Sequence, residues 1–260
     1  MTMGENLRDL KASGAVSVSG GQYRDVSVSG SARISGDVTC ERFDASGSAR
    51  VAGNVACEKY ASSGSTHIDG NVAAGEMRTS GAASVDGSLE ASGLQSSGSF
   101  RVDGDAAVTG EVRVSGSARF GGALKARAVN AAGSLRVARG IECEQLLLQG
   151  AFDVDGLINA GTAEIELAGQ SSLEEIGGER VTVRRRGGLS VLGIQIPFLT
   201  GSLTAGTIEA TSVYLEATRA KVVRGADVTI ASGCEIDRVE YSGALSVVED
   251  AVVREKVKVE

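Results

Sequence analysis

His67 is the only histidine in the 260-residue chain, so any chemistry that requires an imidazole depends on this residue. A Ser-His-Asp triad, a histidine-dependent acyl transfer or a zinc site each needs that imidazole together with partner groups. The position of His67, between two inward positions, matches a position that other segments fill with arginine (Arg33, Arg50, Arg101, Arg119 and Arg136). We therefore expect a solvent-exposed side chain in a polar ladder, with neither a catalytic nor a metal-binding role.

Four cysteines are the other candidate nucleophiles and metal ligands: Cys40, Cys57, Cys143 and Cys234. They form no C-x-x-C pair, which zinc ribbons and thioredoxin-like centres require. The alternating pattern around Cys40, Cys57 and Cys143 places them at one inward position that related segments fill with alanine. We expect buried, inert thiols that act as small apolar core residues.

A basic and apolar segment near residue 190 is the best candidate for an exposed binding site. Arg184, Arg185 and Arg186 are followed by an apolar run around the single proline, Pro197. The apolar members of the run are Leu192, Ile194, Ile196, Phe198 and Leu199. A projecting loop of this composition suits a membrane surface or a partner groove. Alternatively, the apolar run is an ordinary strand that fills the core, and Arg184–Arg186 form a solvated corner beside it.

Other functions lack their sequence signatures. Neither GxxxxGK[ST] nor GxGxxG occurs, so we expect no nucleotide or other cofactor. The formal net charge of −7 argues against general nucleic-acid binding. Aromatic residues make up 3% of the chain, and tryptophan is missing, which argues against a carbohydrate-stacking groove. The first residues form no apolar signal segment, and no later run is long enough to span a bilayer, so a cytoplasmic location is predicted.

Ser-Gly dipeptides recur at a regular interval and reveal the elements that must position these side chains. They begin at Ser29, Ser46, Ser63, Ser80 and Ser97, and the register slips by one at Ser115. Within each repeat, apolar residues alternate with polar ones over three short segments, the period of a strand with one buried face. The sequence therefore predicts an all-β fold, a right-handed parallel β-helix built as a triangular solenoid of coils of about 17 residues.

The spacing of the repeat also predicts which residues form the core and how the chain is organised. Ile34, Val51, Ile68, Val85 and Val102 should stack in one interior column. We expect an N-terminal tail or cap over 1–13, regular coils over 14–168, an irregular coil with a protruding loop over 169–200, and C-terminal coils over 201–260. The ends of a solenoid expose unpaired backbone groups, and the terminal run of alternating valine and charge could pair with another chain.

Three stretches of the sequence resemble the bactofilin family. They are ENLRDLKASG near the N-terminus, the G-x-V/I-x-G-x-V coils, and the segment Lys221–Gly243. In particular, they resemble the longer polymer-forming cytoskeletal proteins of Gram-positive bacteria. The resemblance implies a bacterial cytoskeletal scaffold that assembles end to end into non-polar filaments without nucleotide and positions partner proteins. It also implies self-association, contact with other bactofilins or cell-envelope proteins, and a location at the inner face of the cell membrane.

Four functional hypotheses follow from these observations. The leading one is the self-assembling scaffold, which is not an enzyme. The first alternative is a non-polymerising adaptor that binds a partner or a membrane surface through the 184–199 loop. A β-helical enzyme is disfavoured because strict six-residue steps and a suitably placed histidine are missing. A surface adhesin is disfavoured by the lack of a signal peptide.

Overall fold

The computed structural model describes residues 7–186, 190–191, 194–195 and 201–259, and every regular element in these residues is a β-strand. The chain divides into two compact units, residues 1–125 and 126–260. The strands of the first unit are β1 (Leu10–Ala12), β2 (Ala15–Gln22), β3 (Asp25–Val28), β4 (Ser31–Ala45), β5 (Ser48–Val51), β6 (Val55–Ser62), β7 (Ser65–Ile68), β8 (Val72–Thr79), β9 (Ala82–Val85), β10 (Leu89–Ser96), β11 (Ser99–Val102), β12 (Ala106–Val114) and β13 (Ser117–Phe120).

The strands of the second unit begin with β14, which starts at the unit boundary. They are β14 (Leu124–Ala131), β15 (Ser134–Val137), β16 (Ile141–Leu167), β17 (Gln170–Arg185), β18 (Ser190–Val191), β19 (Ile194–Gln195), β20 (Ser202–Leu215), β21 (Thr218–Ile230), β22 (Glu235–Tyr241), β23 (Leu245–Val247) and β24 (Val252–Lys258). The strands of the coils pair in parallel, whereas β18 and β19 form a separate antiparallel pair. The predicted all-β parallel solenoid is thus confirmed.

A coil of the first unit consists of a short strand and a longer strand that bends. In the coil formed by β5 and β6, burial alternates along β5 and again along β6. The alternation changes phase at the exposed residues Glu58 and Lys59, so β6 turns a corner there. The coil therefore has three faces, which we call the first face (48–51), the second face (55–57) and the third face (60–62).

Successive coils pair in register, and this register creates the interior columns. On the first face, β4, β5, β7, β9 and β11 pair in parallel at a constant step, and the next step, from Ser99 to Ser117 in β13, is one longer. The predicted interior column has side-chain exposures of 0–1%. Its members are Ile34, Val51, Ile68, Val85 and Val102. The inward phase read from the sequence is therefore confirmed.

The interior is filled mainly by aliphatic side chains, with aromatic and hydroxyl groups in particular columns. The rings of Phe43 and Tyr60 on the third face stack in parallel, with centroids 5.2 Å apart. On the same face, the Thr79 hydroxyl donates to Ser96 Oγ at 3.0 Å. These paired hydroxyls satisfy each other, which lowers the cost of burying polar groups.

Asparagine and aspartate side chains form a ladder at the corner between the first and second faces. Asp37 Oδ1 accepts from the backbone N–H of Asn54 at 2.7 Å, and Asn54 Oδ1 accepts from the N–H of Asn71 at 2.8 Å. Asn71 Oδ1 in turn accepts from the N–H of Ser88 at 2.8 Å. Each side chain thus bonds to the next coil at a point where the strand ladder is interrupted, which satisfies backbone groups at the corner.

Glycine is required at the corner between the third and first faces because successive coils approach closely there. A Cβ on Gly64 would overlap the carbonyl oxygen of Gly47, and the same clash recurs from Gly47 to Gly30. Gly14 occupies the same column in the first coil, but no described atom lies within 4 Å of a Cβ built there. The constraint is therefore one of packing against the preceding coil.

Replacing Gly64 by alanine should destabilise the protein, whereas replacing Gly14 should not. The Gly64→Ala Cβ can be accommodated only by moving backbone, and overpacking of this kind costs about 1–3 kcal/mol. Gly14→Ala is the matched control in the same column. Urea denaturation followed by circular dichroism measures both. Equal midpoints for the two variants would show that the coils are not as closely spaced as described.

The second unit continues the same construction with coils of unequal length. Thr204 of β20 pairs with Arg219, Ala220 of β21 pairs with Ile236, and Ile236 of β22 pairs with Val253, so each of these steps is one longer than the last. An interior column nevertheless stays fully buried, with each side chain 0% exposed. Its members are Ile158, Ile176, Ile208, Val223 and Val239. Length differences are therefore absorbed at the corners and leave the faces in register.

The segment predicted to be an irregular coil, 169–200, divides into two parts in the structure. Gln170–Arg185 is strand β17, which pairs in parallel with both β16 and β20, so this part is a regular coil. The pairing between β17 and β20 joins Gln170 to Ser202, nearly twice the usual step along the chain. An insertion therefore follows β17. The preceding step, from Asp153 to Ser172, is longer than the repeat, which is why residues 169–185 fit the sequence period poorly.

Candidate functional site

The C-terminal end of the second unit has an open strand edge. Among the described residues, β23 pairs only with β21, and β24 pairs only with β22. This end also holds three of the four large apolar side chains that are most exposed in the described chain: Val248 at 38%, Val252 at 53% and Val259 at 42%. Unpaired backbone groups beside exposed valines form a surface that a further strand could cover.

A lysine interrupts the apolar interior at this end. The column that runs through Val223 and Val239 continues to Lys256 in the last coil. Val239 is fully buried, whereas Lys256 is exposed. A charged residue at an inward position is a common means of limiting association at a strand edge. The C-terminal end is thus apolar, but the charge of Lys256 opposes close packing of a further strand against it.

The N-terminal end of the first unit is open in a similar way. Within the described part of the chain, β1 pairs only with β3, and β2 pairs only with β4. Leu10 and Val18 are half-buried, whereas Val26 and Ile34, the residues stacked on them in the next coil, are fully buried. A covering coil would complete the burial of the first coil. The predicted tail of 1–13 thus contains a strand, because Leu10–Ala12 already belongs to the solenoid.

The three arginines of the predicted binding loop lie at the end of β17, and all three are exposed. The Arg184 guanidinium lies 5.4 Å from the ring centroid of Tyr214, and the Arg185 N–H donates to Glu216 Oε2 at 2.8 Å. Tyr214 donates its hydroxyl to Glu216 Oε1 at 2.7 Å. Desolvation raises the pKa of Glu216, but the hydrogen bonds from Tyr214 and Arg185 outweigh it and hold that pKa below its usual value. The base of the loop is therefore anchored.

The apolar members of that loop can be placed only in part. Leu192, Ile196, Phe198 and Leu199 lie outside the described residues. Only the backbone of Ile194 is described, and it pairs antiparallel with Val191. Among the described residues, no helix is long and apolar enough to cross a membrane.

His67 occupies the predicted outward position on the first face, but it has partners that the sequence prediction did not include. Its Nδ1 lies 2.6 Å from Ser84 Oγ on the next coil. Its Nε2 lies 2.9 Å from Asp69 Oδ1 and 3.3 Å from Asp86 Oδ2. The side chain is 34% exposed, so it is half-buried and not freely solvated. The partners of His67 belong to the predicted polar ladder and come from its own coil and the next one.

The cysteines are core residues, although two are less buried than predicted. Cys40 and Cys234 are buried, but Cys57 and Cys143 are only half-buried. A hydrogen bond between the thiols of Cys40 and Cys57, which pair in register, lowers the pKa of Cys40 and raises that of Cys57. Burial raises the pKa of Cys143 to about 11. Small neighbours such as Ala73 and Ala74 leave the second face of the first unit as a shallow groove, which explains the partial exposure of Cys57.

These features define a β-helical repeat protein whose terminal described strands pair on one side only, with an anchored arginine cluster at the end of β17. The chain is similar to two proteins of Bacillus subtilis (strain 168): it is 38% identical to uncharacterized protein YhbF over 104 residues and 42% identical to uncharacterized protein YhbE over 91 residues. The matched segments cover 40% and 35% of this chain, and 42% and 38% of the respective relatives. The chain therefore matches less than half the length of either relative. No family model and no solved structure matches it.

Proposed function

We propose that the protein is a bactofilin-like cytoskeletal scaffold that self-assembles end to end without nucleotide and positions partner proteins. The observation that carries this proposal is the one-sided pairing of the first and last described strands. Each end offers an unpaired strand edge beside apolar side chains that are buried in every interior coil. A second copy stacked on either end would continue the parallel ladder and bury these groups.

The energetic argument rests on the difference between terminal and interior coils. Leu10 and Val18 are half-buried, but their interior counterparts are at 0% exposure. Burying apolar surface contributes roughly 25 cal/mol per Å², and the edge N–H and C=O groups gain partners at the same time. The edge strands form parallel pairs on one side only. A coil of a second copy can therefore pair on the other side without any rearrangement of the terminal coil.

Lys256 makes this assembly adjustable. An ammonium group in an inward column must be desolvated or must extend along the junction to reach water. Either route weakens a contact at the C-terminal end without abolishing it. We infer that assembly depends on protein concentration and that Lys256 weakens any junction in which the C-terminal end takes part.

A partner-binding function of the loop after β17 is the second candidate. The observation in its favour is the cluster of three exposed arginines at the start of an insertion, where the pairing skips from Gln170 to Ser202. Exposed guanidinium groups suit an anionic partner or the anionic surface of a membrane. In this function the chain is an adaptor at the inner face of the cell membrane, and it does not polymerise.

Negative-stain electron microscopy of the purified protein without nucleotide, across a range of salt concentrations, tests the two functions. End-to-end stacking is driven by apolar burial and backbone pairing, so filaments should persist at high salt. Dispersed particles under every condition would overturn the scaffold function. In that case, salt-sensitive binding to vesicles of anionic phospholipid would support the adaptor function.

A further inference from the structure

Three electron-pair donors converge on the first face of the first unit. They are His67 Nε2, Asp69 Oδ1 and Asp86 Oδ2, and the donor atoms of this trio all lie within 4.8 Å of one another. Asp86 stands one coil beyond Asp69 in the same column. The trio therefore bridges two coils.

The hydrogen bond on the other side of the ring determines what His67 Nε2 can do. If Nδ1 carries the proton and donates to Ser84 Oγ at 2.6 Å, then Nε2 presents a lone pair to both carboxylates. Lone pairs 2.9 Å and 3.3 Å apart repel unless a positive charge lies between them. A bound cation between these atoms would remove that repulsion, whereas in the other neutral tautomer Nε2 itself would donate to Asp69.

The geometry fits a metal ion. Two ligands bound at 2.0–2.2 Å in tetrahedral or octahedral arrangement lie about 2.8–3.6 Å apart. Both separations from His67 Nε2 fall in this range. Asp69 Oδ1 is also shielded from solvent and accepts no well-aligned hydrogen bond, although Arg50 Nη2 lies 3.0 Å away. This oxygen therefore has a lone pair that a bound ion could use.

We propose that His67, Asp69 and Asp86 bind a divalent first-row transition-metal ion such as Zn²⁺. One imidazole and two carboxylates form a mixed nitrogen and oxygen set, which suits Zn²⁺, Co²⁺ or Mn²⁺ better than the all-oxygen shells preferred by Mg²⁺ and Ca²⁺. Three protein ligands leave further positions for water, because this face is open to solvent.

Two neighbouring groups support the site without binding the ion. Ser84 holds Nδ1, as the outer partner of a metal-binding histidine commonly does, and so directs Nε2 toward the carboxylates. Arg50 donates from Nη2 to Asp69 Oδ2 at 3.2 Å and lies 3.0 Å from Oδ1, so its guanidinium holds the Asp69 carboxylate in place. The bound ion would join the coils that carry Asp69 and Asp86, so the folded state should gain thermal stability from it.

Isothermal titration calorimetry with Zn²⁺, and absorption spectroscopy with Co²⁺, test the site on the full chain. We expect one ion per chain, d–d bands without sulfur charge transfer, and a higher Tm with Zn²⁺ but not with Mg²⁺. His67→Arg installs the residue found at the same position in Arg33 and Arg50, so it should fold normally and lose binding at least about tenfold. Asp86→Asn should lose binding as well.

Asp103→Asn is the matched control, because Asp103 lies in the next coil of the same column and pairs with Arg101. It should bind metal like the unaltered protein. The proposal is overturned if the unaltered chain takes up neither ion. It is also overturned if His67→Arg binds Zn²⁺ equally well, because the ligands then lie elsewhere, for example at the thiols.

Discussion

Val51→Asp is expected to lower the free energy of unfolding by about 4 kcal/mol or more, the largest effect of any single substitution considered. Val51 is 0% exposed and lies between Ile34 and Ile68 in an interior column, so an aspartate there has no partner and no access to water. An unpaired buried charge costs several kcal/mol, in addition to the lost apolar burial. Chemical denaturation followed by far-ultraviolet circular dichroism measures the change.

Ala52→Asp provides the control one residue further along. Ala52 is exposed, and its backbone position is the one that Asp69, Asp86 and Asp103 occupy in later coils. This variant should remain within about 0.5 kcal/mol of the unaltered protein. If Val51→Asp were as stable as Ala52→Asp, the assignment of inward and outward positions would be wrong by one residue.

Lys256→Val should strengthen assembly, and substitutions at the two ends should weaken it. Removing the charge from the inward column lets the last coil be covered like an interior one, so the concentration needed for assembly should fall by about tenfold or more. Val253→Lys adds a second inward charge at the C-terminal end, on the residue that stacks on Ile236. Gly14→Val places a side chain where a covering coil would approach the N-terminal end. Sedimentation velocity measures all three.

Mixing the two end-blocked variants shows which ends join. If the C-terminal end of one copy meets the N-terminal end of the next, each variant alone stays monomeric and an equimolar mixture forms dimers. If like ends meet, each variant alone forms dimers, and mixing changes nothing. Assembly of both variants to the same extent as the unaltered protein would contradict stacking through these ends.

The sequence predicts the faces of the solenoid better than its corners. Period-two alternation marks Ile34 and Val51 as inward because a strand has only two sides, and this part of the prediction is confirmed. The asparagine ladder was missed, although asparagine directly follows glycine at Asn54 and Asn71, and this recurrence was a usable signal. The coil at Gln170–Arg185 could not be delimited from the sequence because its step length departs from the repeat.

The candidate sites depend on neighbours that a linear sequence does not show directly. His67 was placed correctly on the outward side, but its contacts with Ser84 and Asp86 cross from one coil to the next and join positions that are distant in the chain. The inward position of Lys256 can be recognised only from its pairing with Val239. In a terminal run of alternating valine and charged residues, the sequence alone does not show which residues face inward. Both features follow once the register of adjacent coils is known.

The unequal coil steps have an evolutionary consequence. Steps that differ from one coil to the next, and one that is nearly doubled, coexist with an interior column that stays fully buried. The chain can therefore gain or lose residues at its corners without disturbing the pairing on either side. Insertions and deletions at corners should be nearly neutral, whereas those within a face would reverse every side chain after them. The insertion after Arg185 is one such accepted change, and a lineage built on this fold can acquire new recognition segments at a corner while keeping its scaffold.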